Sequence, residues 1–424
     1  MEQISIDLLK DPYSVAKWDR LLQQSVQKLS KASTDQYLPT VRAVFDALLT
    51  IYPLLENYWL KYAHLEYELA NFVESKAIYN RALRYVSYSP RVWLAYLEFC
   101  LVADPVCVSN CLQYLKLFES ARSYVGFHYF SADFYKLYLE FLSTYKNIDP
   151  TLNFQLKYER LLRYVLEVPM YNYSPFFTSM FDLIDSGELT HTSDKGLRKN
   201  ITDIYVITQY KAFKLYDFEK KLHPYFDLKP IAINELKTWE KYMAYLELNY
   251  PHEYVIQAYE RSVLATCNYN DLWLKYMNYL TNLNKLDSLN EVLKRAISLR
   301  KFNKKELIDR LIDLNLFNSN FLVSKNLLST QVSINKLTSL EWLFGNTAVI
   351  TRLFESSQPW ELLVYHQLDN DTKLKLFKSC KNETKEYRQV LRFWLKYNPQ
   401  YRNQFKTITD TTANDFDEEL TAFL

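Results

Sequence analysis

The hydrophobic residues of 58–86 are spaced by three and four positions, in two runs that a short break separates. In the first run, Trp59, Tyr62 and Leu65 fall on one face of a helix. A second run of the same kind follows and contains Arg81. The pattern predicts two antiparallel helices that bury a strongly aromatic face against each other.

The same layout appears again later in the chain. The interval between the opening tryptophan and the arginine of the second run is 22 residues in three places, Trp59 to Arg81, Trp239 to Arg261 and Trp273 to Arg295. Successive tryptophans lie 34 residues apart from Trp59 to Trp93 and from Trp239 to Trp273. This is the length of a helix-turn-helix unit of the tetratricopeptide kind, which must stack on its neighbours to cover its apolar stripe. The predicted fold is therefore an all-α solenoid.

Weaker copies extend the repeat. Tyr135 takes the place of Trp93 in "YKLYLEF", and Arg160 takes the place of Arg81 in "YERLLRYV". The interval of 42 residues from Trp93 to Tyr135 predicts an insertion or a longer turn within 118–134. The predicted repeat core consists of Trp59, Tyr62, Arg81, Trp93, Tyr96, Tyr135, Tyr138, Arg160, Trp239, Tyr242, Arg261, Trp273, Tyr276 and Arg295.

Breaks in the periodicity suggest two lobes. We expect an amino-terminal repeat lobe at 1–190 and a carboxy-terminal repeat lobe at 235–410. Between them, 191–234 should hold a loop followed by one long connecting helix, at 201–222. The last residues, 411–424, are predicted to form an acidic tail.

Composition agrees with long helices, since 424 residues include only four glycines, 49% hydrophobic residues and 16% aromatic residues. The formal net charge of +2 gives no global indication of a polyanion or membrane-surface partner. No apolar run approaches the roughly 20 residues needed to span a bilayer. Five dispersed cysteines without a CxxC pair favour buried thiols over a zinc site.

Enzyme motifs are missing from the sequence: it contains no phosphate-binding glycine loop, no HExxH and no GxSxG. The six histidines stand apart from one another, and although His252 and Glu253 could be taken for an acid/base pair, adjacent helical residues do not face each other. We therefore predict a protein that is not an enzyme and needs no cofactor or metal. An active site without a known motif is the alternative.

The repeated tyrosines and arginines allow a functional interpretation beside the structural one. Tyrosines near lysine and arginine could stack on single-stranded bases, but their shared repeat position favours core packing. The arginines could bind phosphate, but a position fixed by the repeat favours a stem laid across an aromatic ring and a pair with a first-helix carboxylate. The carboxylates predicted for that purpose are Glu66, Glu98, Glu140 and Glu247.

One basic cluster does not follow from the repeat. It lies in "KRAISLRKFNKK" and is either a solvated helix end or a contact for an acidic partner or an RNA backbone. Its candidate partner-binding residues are Lys294, Arg300, Lys301, Lys304 and Lys305.

The first-helix pattern W-x2-Y, followed by aromatic-x-Arg-Ala in the second helix, resembles the half-a-tetratricopeptide (HAT) repeat of RNA-processing scaffolds. A more specific stretch resembles the paired HAT-repeat pre-mRNA-processing factors of the yeast U1 small nuclear ribonucleoprotein, most strongly over 50–170. The residues that carry this resemblance are Gly126, Tyr129 or Phe130, Ser131, Phe134, Tyr135 and Tyr138.

The resemblance implies a nuclear, non-catalytic scaffold subunit of the U1 particle that acts in 5′ splice-site recognition and early spliceosome assembly. The amino-terminal lobe would contact the U1 C protein and other particle subunits, and U1 RNA would be contacted mostly indirectly. The carboxy-terminal lobe would pair with a sister HAT-repeat splicing factor or with a second copy of itself. The alternatives are a HAT-repeat scaffold of another complex, such as mRNA 3′-end cleavage, or a solenoid that binds RNA directly.

An apolar stripe in 386–401 is wider than one neighbouring helix would cover, whereas the last helix of a solenoid normally turns a polar face outward. We predict that it forms the dimer interface, and the alternative is a helix folded back into its own lobe. The candidate interface residues are Tyr387, Val390, Leu391, Phe393, Trp394 and Tyr397.

Overall fold

The computed structural model describes residues 8, 14–31, 34–187, 189, 196–299, 304–318, 369–379 and 385–405. The secondary structure of this part of the chain is helical, without any strand. The chain divides into two compact units, Met1–Tyr279 and Leu280–Leu424. The prediction of an all-α fold is confirmed.

The first unit contains the helices of the amino-terminal repeats and of the clear repeats that follow them. These are α1 (Val15–Lys31), α2 (Thr34–Ile51), α3 (Glu56–Glu68), α4 (Phe72–Tyr85), α5 (Pro90–Ala103), α6 (Cys111–Val125), α7 (Ala132–Thr144), α8 (Phe154–Leu166), α9 (Ser174–Ser186), α10 (Leu197–Glu219), α11 (Ile233–Asn249) and α12 (His252–Ala265).

Helix α13 (Asn270–Asn282) includes the position at which the chain divides. In the described part of the second unit lie α14 (Leu286–Leu299), α15 (Lys305–Phe317), α16 (Asn370–Ser379) and α17 (Lys385–Tyr397). Two short 3₁₀ turns, Pro150–Leu152 and Pro399–Gln404, complete the described secondary structure.

Local sequence explains how the repeats begin and turn. Helix α5 starts at Pro90, whose fixed backbone suits the first helical position, and the Ser89 hydroxyl accepts a hydrogen bond from the Val92 amide at 3.3 Å. The tight turn between α3 and α4 places Ala70 at a φ of 59°, and Asn284 takes a φ of 55° in the turn between α13 and α14. In these two repeats the turn between the first and second helices thus contains a residue in the same left-handed conformation.

Most of the extra residues between Trp93 and Tyr135 lie outside the segment in which the sequence predicted them. The connection between the two helices of this repeat is 104–110, against 69–71 in the preceding repeat. The loop at 126–131 is only slightly longer than its counterpart at 86–89. The segment 118–134, where the insertion was predicted, therefore contains only the smaller part of the added length.

The long helix predicted at 201–222 is α10, which runs from Leu197 to Glu219. Helix α9 before it ends at Gly187, whose φ of 72° is a left-handed conformation that glycine adopts without strain. The lobe limits at 190 and 235 stay a prediction.

No helix in the described ranges is long and apolar enough to cross a membrane. In the same ranges, no group of three or more His, Cys, Asp or Glu side chains is arranged to hold a metal ion.

Candidate interaction site

Three of the four repeat tryptophans make a hydrogen bond that the sequence pattern did not reveal. In these three the indole Nε1–H donates to the backbone carbonyl six residues earlier, in the turn that follows the preceding second helix, whereas the buried Nε1 of Trp239 has no acceptor among the described residues. The three pairs are Trp59 to Pro53 at 2.8 Å, Trp93 to Ser87 at 2.7 Å and Trp273 to Cys267 at 3.1 Å. A buried ring that also satisfies a carbonyl at a helix end fixes how one repeat follows the next.

Four of the repeat tyrosines stack on an aromatic residue from the preceding helix. The ring centres are 4.6 Å apart for Tyr62 and Phe45, 4.7 Å for Tyr138 and Phe118, 5.1 Å for Tyr242 and Phe218, and 5.0 Å for Tyr276 and Tyr259. All four tyrosines are buried. These positions therefore pack the core, and their rings are not available to stack on bases.

An acidic residue directly follows each of these stacked partners, giving Phe45-Asp46, Phe118-Glu119, Phe218-Glu219 and Tyr259-Glu260. Three of the acids accept the hydroxyl of the stacked tyrosine: Glu119 from Tyr138 at 2.6 Å, Glu219 from Tyr242 at 2.8 Å and Glu260 from Tyr276 at 2.8 Å. Burial, with a further contribution from the Asp46 charge, raises the pKa of Tyr62 to about 12. The aromatic-acid dipeptide is the sequence signal that identifies these contacts.

Two repeat arginines lie over the tryptophan of their own repeat. The Arg81 guanidinium lies 5.4 Å from the Trp59 ring centre, and the Arg261 guanidinium lies 5.1 Å from that of Trp239. Arg81 donates to Asp46 at 2.8 Å, and Arg261 donates to the already bonded Oε1 of Glu219 at 2.6 Å. Each arginine thus connects its repeat to the helix that precedes the repeat.

The predicted first-helix carboxylates are wrong as partners of these two arginines. Glu66 instead accepts hydrogen bonds from Nε and Nη2 of Arg42, both at 2.7 Å, and Glu247 accepts a hydrogen bond from the Tyr259 hydroxyl. The reason is geometric: an acid on the helix before each repeat, Asp46 or Glu219, lies within hydrogen-bonding distance of the arginine.

The other two predicted arginines behave differently. Arg160 is exposed on α8, and in this repeat it is the Arg122 guanidinium that lies over an aromatic ring, 5.2 Å from the centre of Tyr164. Arg295 is half-buried on α14. The alignment of "YERLLRYV" with "YNRALRYV" therefore does not carry the half-buried position of Arg81 over to Arg160.

The loop that supports the family resemblance is built around Gly126. Its carbonyl accepts the hydroxyl of Tyr135 at 3.0 Å and that of Ser131 at 3.4 Å. A Cβ on Gly126 would lie 2.9 Å from the Tyr135 hydroxyl and 2.5 Å from the Arg122 carbonyl. Only glycine therefore fits this close approach of backbone to a buried tyrosine.

We predict that Gly126→Ala lowers the free energy of unfolding by about 1–3 kcal/mol, because the added methyl group overpacks the contact with Tyr135. Chemical denaturation followed by circular dichroism measures this difference. Gly187→Ala is the control that strains a left-handed backbone without crowding any neighbour, since an added Cβ at Gly187 meets no atom within 4 Å. Equal stability of Gly126→Ala and the wild type would contradict the prediction.

The same loop binds α12. The Phe127 amide donates to the side-chain oxygen of Gln257 at 2.9 Å, and the Gln257 amide donates to the Ser123 carbonyl at 2.6 Å. Phe127 also packs against Tyr254, with ring centres 5.3 Å apart. We call the loop at 126–131 the Gly126 loop. Its contacts thus hold α6 and α12 together.

Next to the Gly126 loop lies a cleft of about 290 Å³, which we call the Phe130 cleft. It lies wholly in the first unit, and side chains from both early and late repeats line it. Its wall includes Leu54, Tyr88, Phe130, Tyr225, Phe226 and Leu264.

Three of the five residues in the basic cluster belong to the described part of the chain. Lys294 and Lys305 are exposed, and Lys304 is half-buried. Arg300 and Lys301 lie outside the described residues. The cluster as a partner-binding patch stays a prediction.

Four of the six candidate dimer residues lie in the core of the second unit: Tyr387, Val390, Leu391 and Trp394 are buried. Trp394 packs on Phe377 with ring centres 5.2 Å apart, and the Tyr387 hydroxyl donates to the Phe377 carbonyl at 3.0 Å. The structure therefore supports the folded-back alternative for these four.

The remaining two candidate dimer residues are more accessible. Phe393 is half-buried, and 67% of Tyr397 is exposed.

Comparison with known proteins gives two family matches and a set of relatives. Residues 2–181 match the family model described as PRP39 N-terminal HAT repeat, and residues 213–331 match PRP39 C-terminal HAT repeat. The U1 small nuclear ribonucleoprotein component PRP42 of Saccharomyces cerevisiae is 27% identical over 317 residues, which cover 66% of this chain and 56% of that protein.

Two proteins named pre-mRNA-processing factor 39 are also similar. The Saccharomyces cerevisiae protein is 24% identical over 284 residues, covering 66% of this chain and 42% of its own length. The Xenopus laevis protein is 24% identical over 330 residues, covering 67% and 50%. This chain spans about half the length of the curated relatives it matches.

Proposed function

Because this chain belongs to the PRP39 HAT-repeat family, we propose that it is a non-catalytic scaffold subunit of a U1-type particle in nuclear pre-mRNA splicing. The observation that carries this proposal is the match of both family models, over 2–181 and 213–331. A similar protein that is named as a U1 particle component supports the choice of complex.

The contacts between repeats support a scaffold. The buried charged groups Arg261 and Glu219 are engaged in ring, hydroxyl and ion-pair contacts that hold one helix pair against the next. Stacked repeats of this kind keep their surface residues at fixed separations. Proteins bound to such a surface gain effective concentration for one another without any chemistry by the scaffold.

In finer detail, we propose that the chain acts in 5′ splice-site recognition and early spliceosome assembly by bridging auxiliary subunits to the particle core. Its amino-terminal repeats would bind the U1 C protein and other subunits, and its contact with U1 RNA would be mostly indirect. The carboxy-terminal repeats would pair with a sister HAT-repeat factor or a second copy. Since four of the six candidate interface residues are buried in the second unit, this pairing would use other surface, including Tyr397.

Rapid depletion of the protein in cells of its own organism tests the proposal. We expect unspliced pre-mRNA to accumulate within the first cell cycle, while transcripts still end at their usual polyadenylation sites. Sequencing of nuclear RNA is the readout. Re-expression of the wild-type chain should restore splicing. Readthrough past polyadenylation sites with normal splicing would instead favour the mRNA 3′-end cleavage alternative and overturn the proposal.

A further inference from the structure

The Phe130 cleft is formed by parts of the chain that are far apart in sequence. Its wall brings together the start of α3, the turn at 86–91, the Gly126 loop, the segment 224–226 that follows α10, and α12. At about 290 Å³ it lies at the lower limit of small-molecule pockets, which are about 300–1,000 Å³. A cleft of this size accommodates one bulky side chain more readily than a cofactor.

The surface of the cleft is mainly apolar and aromatic. Leu54 and Leu264 lie in the wall, and Phe130 and Tyr225 are 41% and 42% exposed. Exposed aromatic rings around a concave apolar surface are typical of pockets that receive an anchor residue of a partner.

The charged groups in the wall are compensated within the protein. One carboxylate oxygen of Glu56 accepts a hydrogen bond from the Arg91 guanidinium at 2.6 Å, and the other accepts one from the Ser89 hydroxyl at 2.5 Å. Arg261 is paired with Glu219 at 2.6 Å. With its cations already neutralised, the cleft offers little to a phosphate backbone, whose binding depends on unpaired positive charge.

The wall also contains hydrogen-bond donors. The Phe130 amide donates to His128 Nδ1 at 3.0 Å, which leaves the ring proton on Nε2. Desolvation, together with the Arg261 charge, holds the pKa of His128 well below its usual range, so the ring is neutral. Arg261 Nε is buried and has no acceptor among the described residues. A neutral imidazole N–H and a guanidinium whose charge Glu219 compensates, beside an apolar surface, complement a main-chain carbonyl.

We propose that the Phe130 cleft binds a bulky apolar side chain from an uncharged, extended segment of a partner protein, with a main-chain carbonyl of that segment accepting a hydrogen bond from the wall. The proposal rests on the scaffold function proposed above and specifies the chemistry of one of its partners. RNA is the competing occupant, and the test includes it.

Saturation-transfer NMR with the purified full-length chain tests this proposal. The probes are capped pentapeptides Gly-Gly-X-Gly-Gly in which X is Trp, Phe, Leu or Asp, and a uridine octamer. We expect signals from the Trp, Phe and Leu peptides, and a decrease of at least about fivefold for the double variant Phe130→Ser/Tyr225→Ser, which removes both exposed rings. The Asp peptide should give no signal.

The matched control is Tyr210→Ser/Phe213→Ser on α10, where the two rings are 62% and 61% exposed and line no part of the cleft. It should bind the peptides as the wild type does. Circular dichroism confirms that both double variants are folded, and the single variant Phe130→Ser should give an intermediate loss if the double variant unfolds.

Three results would overturn the proposal: no signal from the apolar peptides, an equal loss in the control, or octamer binding that Phe130→Ser/Tyr225→Ser abolishes. Peptide binding by the purified chain does not depend on any splicing phenotype. A failure of the cleft is therefore distinguishable from a failure of the scaffold function.

Discussion

Replacing Trp59 with alanine is expected to lower the free energy of unfolding by about 3–5 kcal/mol, as deletion of a buried aromatic side chain does. Trp59 is only 2% exposed, stacks on Tyr85, lies under Arg81, and donates to the Pro53 carbonyl. The substitution leaves a cavity and an unsatisfied carbonyl at the junction between two repeats. Urea denaturation followed by circular dichroism measures the loss.

Two control substitutions separate the contributions to this loss. Trp59→Phe keeps a ring but removes the indole donor, so it should cost less than Trp59→Ala. Phe72→Ala removes an aromatic side chain that is 44% exposed and should change stability little. A negligible effect of Trp59→Ala would mean that the buried face of the repeat has been placed wrongly.

Replacing Glu219 with alanine is expected to cost about 3–5 kcal/mol, because it leaves the Arg261 guanidinium buried without its counter-charge. Glu219 is 4% exposed and Arg261 is 5% exposed, so water cannot readily replace the lost partner. The Tyr242 hydroxyl loses its acceptor at the same time. Thermal and urea unfolding of the variant measure the effect.

The double variant Glu219→Leu/Arg261→Met provides the sharper test. Removing both charges together should recover much of the stability that Glu219→Ala loses, since the desolvation of an unpaired charge is then avoided. Asp46→Ala is the more exposed counterpart, because the Asp46 and Arg81 side chains are 45% and 43% exposed, and it should cost less than about 1 kcal/mol. The coupling would be contradicted if the double variant lost as much stability as the sum of the losses from the single substitutions at 219 and 261.

The buried positions of the repeats could be predicted from the sequence because large aromatic residues at helical spacing form one apolar face, which the fold must bury. Trp59, Trp93, Trp239 and Trp273 are all buried. The resemblance carried by Gly126 and its neighbours is likewise confirmed by the family match over 2–181. A periodic pattern was enough to identify these buried positions from one sequence, and a specific motif was enough to identify the family.

Contacts between repeats could not be read in the same way. Whether Arg81 reaches Asp46 or a first-helix glutamate depends on how far one helix pair is displaced along the next, and spacing within a pair does not set that displacement. Arg160 shows the same difficulty: the sequences of α4 and α8 match at this position, yet Arg160 is exposed whereas Arg81 is half-buried.

The apolar stripe of α17 illustrates a further limit of sequence patterns. Periodicity correctly indicates that Tyr387, Leu391 and Trp394 are covered, but it does not say by what. In the second unit Phe377 of α16 covers two of them, a contact made by a helix with no repeat signature of its own. A stripe that looked like surface for a partner is therefore largely core.

The central claim, that this chain is a scaffold of a U1-type splicing particle, is tested most directly by identifying the RNA that co-purifies with it. The tagged full-length chain is isolated from nuclear extract at moderate salt, and the bound RNA is sequenced beside a mock purification. We predict enrichment of U1 RNA over the other spliceosomal RNAs. Recovery of cleavage-factor proteins with no enrichment of U1 RNA would contradict the account.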